Sequence, residues 1–137
     1  MNILGKSESP ATIKMLIDTD ILIDYLRGIE KSRLFLENSK HKFHISVITK
    51  FEIISGATNK NDIIKLEGFL SNFIILPITN SIIANAYGIF KKYHLTNKLG
   101  ILDSFIASTA ENYNLPLCSR NQKHYRLIKE IKFVLPY

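Results

Sequence analysis

The sequence predicts an α/β fold in which a parallel sheet is covered by helices on both faces. Two observations carry this. Apolar runs of strand length recur at 15–17, 44–48, 73–76 and 116–118, with another short one at 133–135. The segments between them repeat their apolar residues at helical spacing instead. A third observation concerns chemistry: acids follow closely on several of the strand-like runs. In open parallel sheets, strand ends and helix starts share one edge, and ligands bind there.

The elements follow in order. Met15, Leu16 and Ile17 form a strand that ends in Asp18. Helical patterns cover 20–27, where Asp20 is a good N-cap, and 30–38. The run 44–48 is a second strand, followed by helices over 49–58 and 60–71. After the strand 73–76, Thr79 or Asn80 caps a helix carrying Ile82, Ile83, Ala86, Tyr87 and Phe90. Gly100 precedes another, with Leu102, Phe105, Ile106 and Thr109 in register. Pro116–Cys118 and 133–135 complete the strands.

The 137 residues are one domain's worth, enough to bury a core. No apolar run reaches the roughly 18 residues of a membrane span, and the most apolar region, 71–90, is broken by Pro77, Thr79, Asn80 and Asn85. Residues 1–14 lack the apolar centre of a signal peptide and read as a polar extension to a domain at 15–137. Cys118 is the sole cysteine, which excludes a disulfide framework and a cysteine-based zinc site and fits a reducing cytoplasm. A formal net charge of +6 attracts polyanions such as nucleic acid.

Three acids stand at the expected ligand edge. Asp18 follows the first strand, Glu52 lies in the first turn after the second, and Asp103 opens the helix after Gly100. Brought together, they would resist ionisation. A hard divalent cation with oxygen ligands, Mg²⁺ or Mn²⁺, resolves that conflict. Each acid also has a structural reading. Thr49-x-x-Glu52 has the form of a capping box, Asp103 suits a helix dipole, and Asp18 could serve a turn. Along the last helix Asp103, Ala107 and Ala110 share one face, small beyond its acid, which lets that helix approach the sheet closely.

Three blocks resemble the PIN-domain family, and within it the VapC-type toxins of toxin–antitoxin pairs. They are LIDTDILIDYLRG around Asp18, ISVITKFEIISGA around Glu52, and LDSFIASTAENYNLPLCSRNQKHY from Leu102 onward. The resemblance implies a three-layer α/β/α sandwich with a central parallel sheet. It implies a Mg²⁺- or Mn²⁺-dependent endoribonuclease, a small antitoxin as partner, and a homodimer. Asp18, Glu52 and Asp103 are then the metal ligands, with Thr19 and Asn121 as neutral groups positioning water. Many PIN domains carry a fourth acid after the Leu-Pro-Leu strand. Here Asn121 stands in that neighbourhood, so a second ion would depend on the phosphates of bound RNA. Asn121 also admits an alternative, a catalytically impaired PIN-like module that binds RNA or acts as a scaffold. The three retained acids favour the nuclease.

The remaining polar residues read as follows. Lys50, Lys98, Arg120, Lys123 and His124 lie near the site in sequence and could steer an RNA backbone. Asp18-x-Asp20 also opens some phosphatases that form an aspartyl phosphate, but Leu22 stands where Thr or Val is wanted, and no Lys-plus-acid ending follows. His41 and His44 lack a third ligand and read as surface residues. Asp20 reads as a cap, and Asp24 as facing solvent or an arginine.

Overall fold

The computed structural model describes residues 13–38 and 40–137. Most of the expected polar extension, 1–12, lies outside the described residues, and Lys14 already belongs to the first strand. The elements in order are β1 (Lys14–Ile17), α1 (Thr19–Leu26), α2 (Glu30–Asn38), β2 (Lys42–Ser46), α3 (Val47–Ser55), α4 (Lys60–Leu70), β3 (Ile74–Leu76), α5 (Asn80–Asn97), α6 (Ile101–Asn112), β4 (Leu117–Cys118), α7 (Gln122–Tyr125) and β5 (Phe133–Val134). The five strands form one parallel sheet in the order β3-β2-β1-β4-β5.

Successive strand residues point to opposite faces, so each strand feeds two cores. Met15 and Ile17 of β1, Phe43 and Ile45 of β2 and Cys118 of β4 join Ile21, Leu22, Leu36, Ile53 and Leu70 on one face. Leu16 and Leu117 point the other way, onto Ile89, Tyr93, Ile106, Ala107, Ala110 and Tyr125. The helices α1 to α4 therefore cover one side and α5 to α7 the other, which is the expected three-layer sandwich. Each fully buried Leu or Ile of these layers contributes roughly 1.5–3 kcal/mol.

The fold departs from the sequence reading in several places. Strand β2 ends at Ser46, not Ile48. The Ser46 hydroxyl accepts a hydrogen bond from Ile48 N–H at 3.0 Å, so Val47 and Ile48 open α3. That N-cap outweighs their β-branching. In α6, Leu102 is exposed, whereas the small face with Ala107 and Ala110 is buried, as expected. His44 is buried in β2 rather than at the surface.

The chain runs from β1 outward through β2 and β3, then crosses back to place β4 on the other side of β1. The strand order thus reverses between β1 and β4. Their carboxyl ends leave a crevice with helices departing on both sides.

Candidate active site

Asp18 leaves β1 at that crevice. Its N–H pairs with the Cys118 carbonyl at 2.9 Å, the last rung joining β1 to β4. The residue is extended, at φ −75° and ψ 160°, and Oδ1 accepts from Thr19 N–H at 2.9 Å, so Asp18 itself is the N-cap of α1. Oδ2 accepts from the Ser119 hydroxyl at 2.9 Å. Asp18 is buried, and this loss of solvent, followed by the nearby negative charge of Asp20 and a smaller contribution from Asp103, pushes its carboxyl from 3.8 up to about 7.

Asp20 is therefore not the cap. It lies in the first turn of α1 and reaches across to the loop after β4, accepting from Arg120 N–H at 3.0 Å and from the Ser119 hydroxyl at 3.3 Å through Oδ2. Its Oδ1 is buried without a hydrogen-bond partner. Burial raises its carboxyl as well, against the lowering effect of Arg120. The sequence reading missed this residue at the site, although two acids two positions apart cannot both be the N-cap of one helix.

Glu52 is held from α3. The Thr19 hydroxyl donates to Glu52 Oε1 at 2.7 Å and lies 3.0 Å from the Thr49 hydroxyl, which is free to donate back. Thr49 is buried within α3, whose cap is Ser46, so the Thr49–Glu52 spacing is not a capping box here. Glu52 turns toward Thr19, the residue beside Asp18, instead of folding onto its own helix.

Asp103 stands in the first turn of α6, with Gly100 N–H 3.3 Å from Oδ2. The short helix α7 supplies its other partners. His124 Nδ1 lies 3.0 Å from Oδ2, and the buried Tyr125 hydroxyl donates to Oδ1 at 3.1 Å. Burial, with the charges of Asp18 and Asp103 next, holds the Tyr125 phenol well above its usual range and so keeps it a donor. Asn121 sends its N–H to the Ser119 hydroxyl at 3.0 Å, and its amide nitrogen lies 2.9 Å from His124 Nδ1.

The crevice thus places Asp20 and Asp103 within the field of Asp18, with Glu52 tied to its rim through Thr19. Among the described residues, no three acid, histidine or cysteine side chains close on a single point as a finished ligand set. Hydroxyls and an imidazole stand between the carboxylates. Even so, the donor set suits a hard divalent cation: a buried carboxyl resisting ionisation, flanked by like charges, beside a buried carboxylate oxygen that has no partner. Of the expected steering cations, Lys98 and Lys123 are exposed, whereas Arg120 is bound to Asp24 at 2.7 Å and His124 to Asp103.

The PIN domain family profile matches residues 15–130. Ribonuclease VapC1 of Methanocaldococcus jannaschii is 35% identical over 131 residues, covering 93% of this chain and 87% of that protein. Ribonuclease VapC10 of Mycobacterium tuberculosis is 30% identical over 129 residues, covering 89% and 95%. Among solved structures, a toxin–antitoxin complex from Klebsiella pneumoniae superposes with a TM-score of 0.77 at 32% identity, over 90% of this chain and 98% of the matched one. VapBC2 from Rickettsia felis, bound to a DNA fragment from its promoter, shares the fold with a TM-score of 0.76 at 21% identity, over 90% and 98%. A reversed strand order with Asp18 at its crevice, a family profile spanning almost the whole described chain, and relatives matched along most of their length lead to one assignment: the chain belongs to the PIN-domain family.

Proposed function

We infer that the chain is an endoribonuclease toxin, hydrolysing RNA phosphodiesters and restrained by a small antitoxin. The observation that supports it best is Asp18: a buried carboxyl at the switch-point crevice that two further acids, Asp20 and Asp103, make harder to ionise. A cap or a structural ion pair does not call for that arrangement. The cytoplasm is where such a nuclease would meet cellular RNA. No helix among the described residues is long and apolar enough to cross a membrane.

In this reading Asp18, Glu52 and Asp103 hold Mg²⁺ or Mn²⁺. Bound there, the ion would supply Lewis acidity toward a water and toward the phosphoryl oxygens. The chain's own groups prepare the site. Thr19 orients Glu52 by its hydrogen bond, Ser119 fixes one oxygen of Asp18, and Asn121 holds the loop after β4 through Ser119. His124 and Tyr125 fix the rotamer of Asp103. The net charge of +6 draws the RNA backbone in, with Lys98 and Lys123 exposed to meet it. Ile83, Tyr87 and Ile101 leave an apolar face exposed on α5 and α6, suited to pairing two copies of the chain.

The test is expression of the chain alone from a tightly repressed promoter, followed by cleavage assays on the purified protein. Growth should stop on induction, and EDTA should silence cleavage. Asp18→Asn should lower cleavage by more than about 100-fold, since losing even an outer partner of a metal commonly costs about 10–100-fold. Unimpaired growth with soluble, full-length protein present, or cleavage that survives EDTA, would refute the reading.

A further inference from the structure

Asn121 leaves the crevice one acid short of a four-carboxylate set, yet the structure brings a fourth carboxylate there by another route. Asp20 reaches from the first turn of α1 to the loop after β4, where Oδ2 meets Arg120 N–H at 3.0 Å and the Ser119 hydroxyl at 3.3 Å. The same Ser119 hydroxyl lies 2.9 Å from Asp18 Oδ2. One hydroxyl has one hydrogen, so it cannot satisfy both carboxylates at once. The other oxygen of Asp20 is buried without a hydrogen-bond partner. The Ile21 N–H beside it lowers the pKa of the Asp20 carboxyl but makes its hydrogen bond to the Asp18 carbonyl, 3.3 Å away. Asn121, by contrast, sends its N–H to Ser119 and brings no carboxylate to the crevice.

We propose that Asp20 supplies the fourth carboxylate of the metal site, in place of the acid that Asn121 does not provide. This rests on the reading of the crevice as a metal site and deepens it. A capping role is already filled by Asp18, whose side chain takes Thr19 N–H. A purely structural tie between α1 and the β4 loop needs only Oδ2 and gives no use to a second, buried oxygen. With Asp20 included, the crevice has the charge to seat a divalent ion before RNA arrives.

Calorimetric titration of MnCl₂ into the RNA-free protein tests this, using wild type, Asp18→Asn and Asp20→Asn. Asparagine keeps an acceptor for Arg120 N–H and Ser119, so Asp20→Asn preserves the tie and removes the charge. Expected is at least a tenfold weaker Mn²⁺ affinity for Asp20→Asn, with melting in EDTA at or above that of wild type and partial recovery when Asn121→Asp is added. Wild-type affinity and stoichiometry in Asp20→Asn would overturn the role of Asp20 while leaving the metal reading intact. No Mn²⁺ binding by wild type would overturn both. If Asp20→Asn does not fold, the carboxyl ¹³C signals of wild type decide during titration with Mg²⁺. The Asp20 signal should move with the same midpoint as that of Asp18. A moving Asp18 signal beside a stationary Asp20 signal would refute the proposal.

Discussion

Asp20 and Asp24 lie one turn apart on the same helix, and both reach toward the loop after β4. Their surroundings differ completely. Asp24 is gripped by Arg120, whose Nε approaches Oδ2 at 2.7 Å and whose Nη2 donates to Oδ1 at 3.1 Å, and the Tyr137 hydroxyl adds a bond to Oδ2 at 2.9 Å. Burial, with the hydrogen bond to Asp24 next, holds that phenol up to about 12, so it stays a donor. Asp20 shares its single side-chain partner, Ser119, with another carboxylate. One acid is neutralised and locks the helix to the loop. The other adds charge to a crevice that already resists it. Residue type and helix position do not separate these two acids; what does is that the Arg120 guanidinium is bonded to Asp24, whereas Asp20 takes its hydrogen bonds from the Arg120 backbone N–H and a shared hydroxyl.

The largest expected effect tests the uncompensated end. In the folded protein Asp18 holds its proton up to about 7, whereas the unfolded chain releases it near 3.8. Between those values the folded state binds more protons, so stability is fully present below about pH 4 and is lost as pH rises through about 7. The difference corresponds to up to about 4 kcal/mol. Without metal, Asp18→Asn should therefore melt higher than wild type at pH 8, the gap closing toward pH 4, and asparagine remains a good N-cap. Melting curves in EDTA across that range measure it. Parallel wild-type and variant curves would remove the contrast between the two ends of α1.

A smaller and opposite effect is expected at the compensated end. Asp24→Ala leaves Arg120 and Tyr137 without their shared acceptor, and should destabilise the fold by about 1–3 kcal/mol. Mn²⁺ affinity should change little. Denaturant unfolding paired with metal titration separates the two outcomes, and a loss of metal affinity as large as that of Asp18→Asn would place Asp24 within the site.

The smallest effect concerns the rim. Thr19→Val keeps the shape of the side chain but removes the hydroxyl that holds Glu52 at 2.7 Å. Cleavage should fall by about tenfold, within the range typical of partners that orient metal ligands. Single-turnover kinetics would show it, and an unchanged rate would mean that Glu52 needs no such guide.

Much of this was legible in the sequence. The β1 run and its acid, the small face of α6 and the alternation of strands with helices fixed the layers, because burial imposes its period on residue type. The end of β2 was misread because Val47 and Ile48 favour strands, while Ser46 carries the competing cap signal and prevails. Asp20 was misread for a similar reason. An acid at a helix start has a ready local explanation, and only the 99-residue separation between Asp20 and Ser119 reveals the other one. The contacts of Asp103 with His124 and Tyr125 were hidden likewise, since they depend on where α7 docks.

The β1–β4 pairing has a consequence for the order in which this protein is made. Asp18 and Ser119 are separated by 101 positions, and the hydrogen bond that unites them needs β4 in place beside β1. At ribosomal rates of about 5–20 residues per second, the second half of the crevice leaves the decoding centre roughly 5–20 s after the first. Over that interval the nascent chain adds Glu52 and then Asp103 to Asp18 and Asp20, but not the strand and loop that hold the earlier pair. A chain abandoned by a stalled ribosome before Leu117 therefore has acids but no assembled crevice. The crevice is completed only once β4 and the loop to Ser119 have been made.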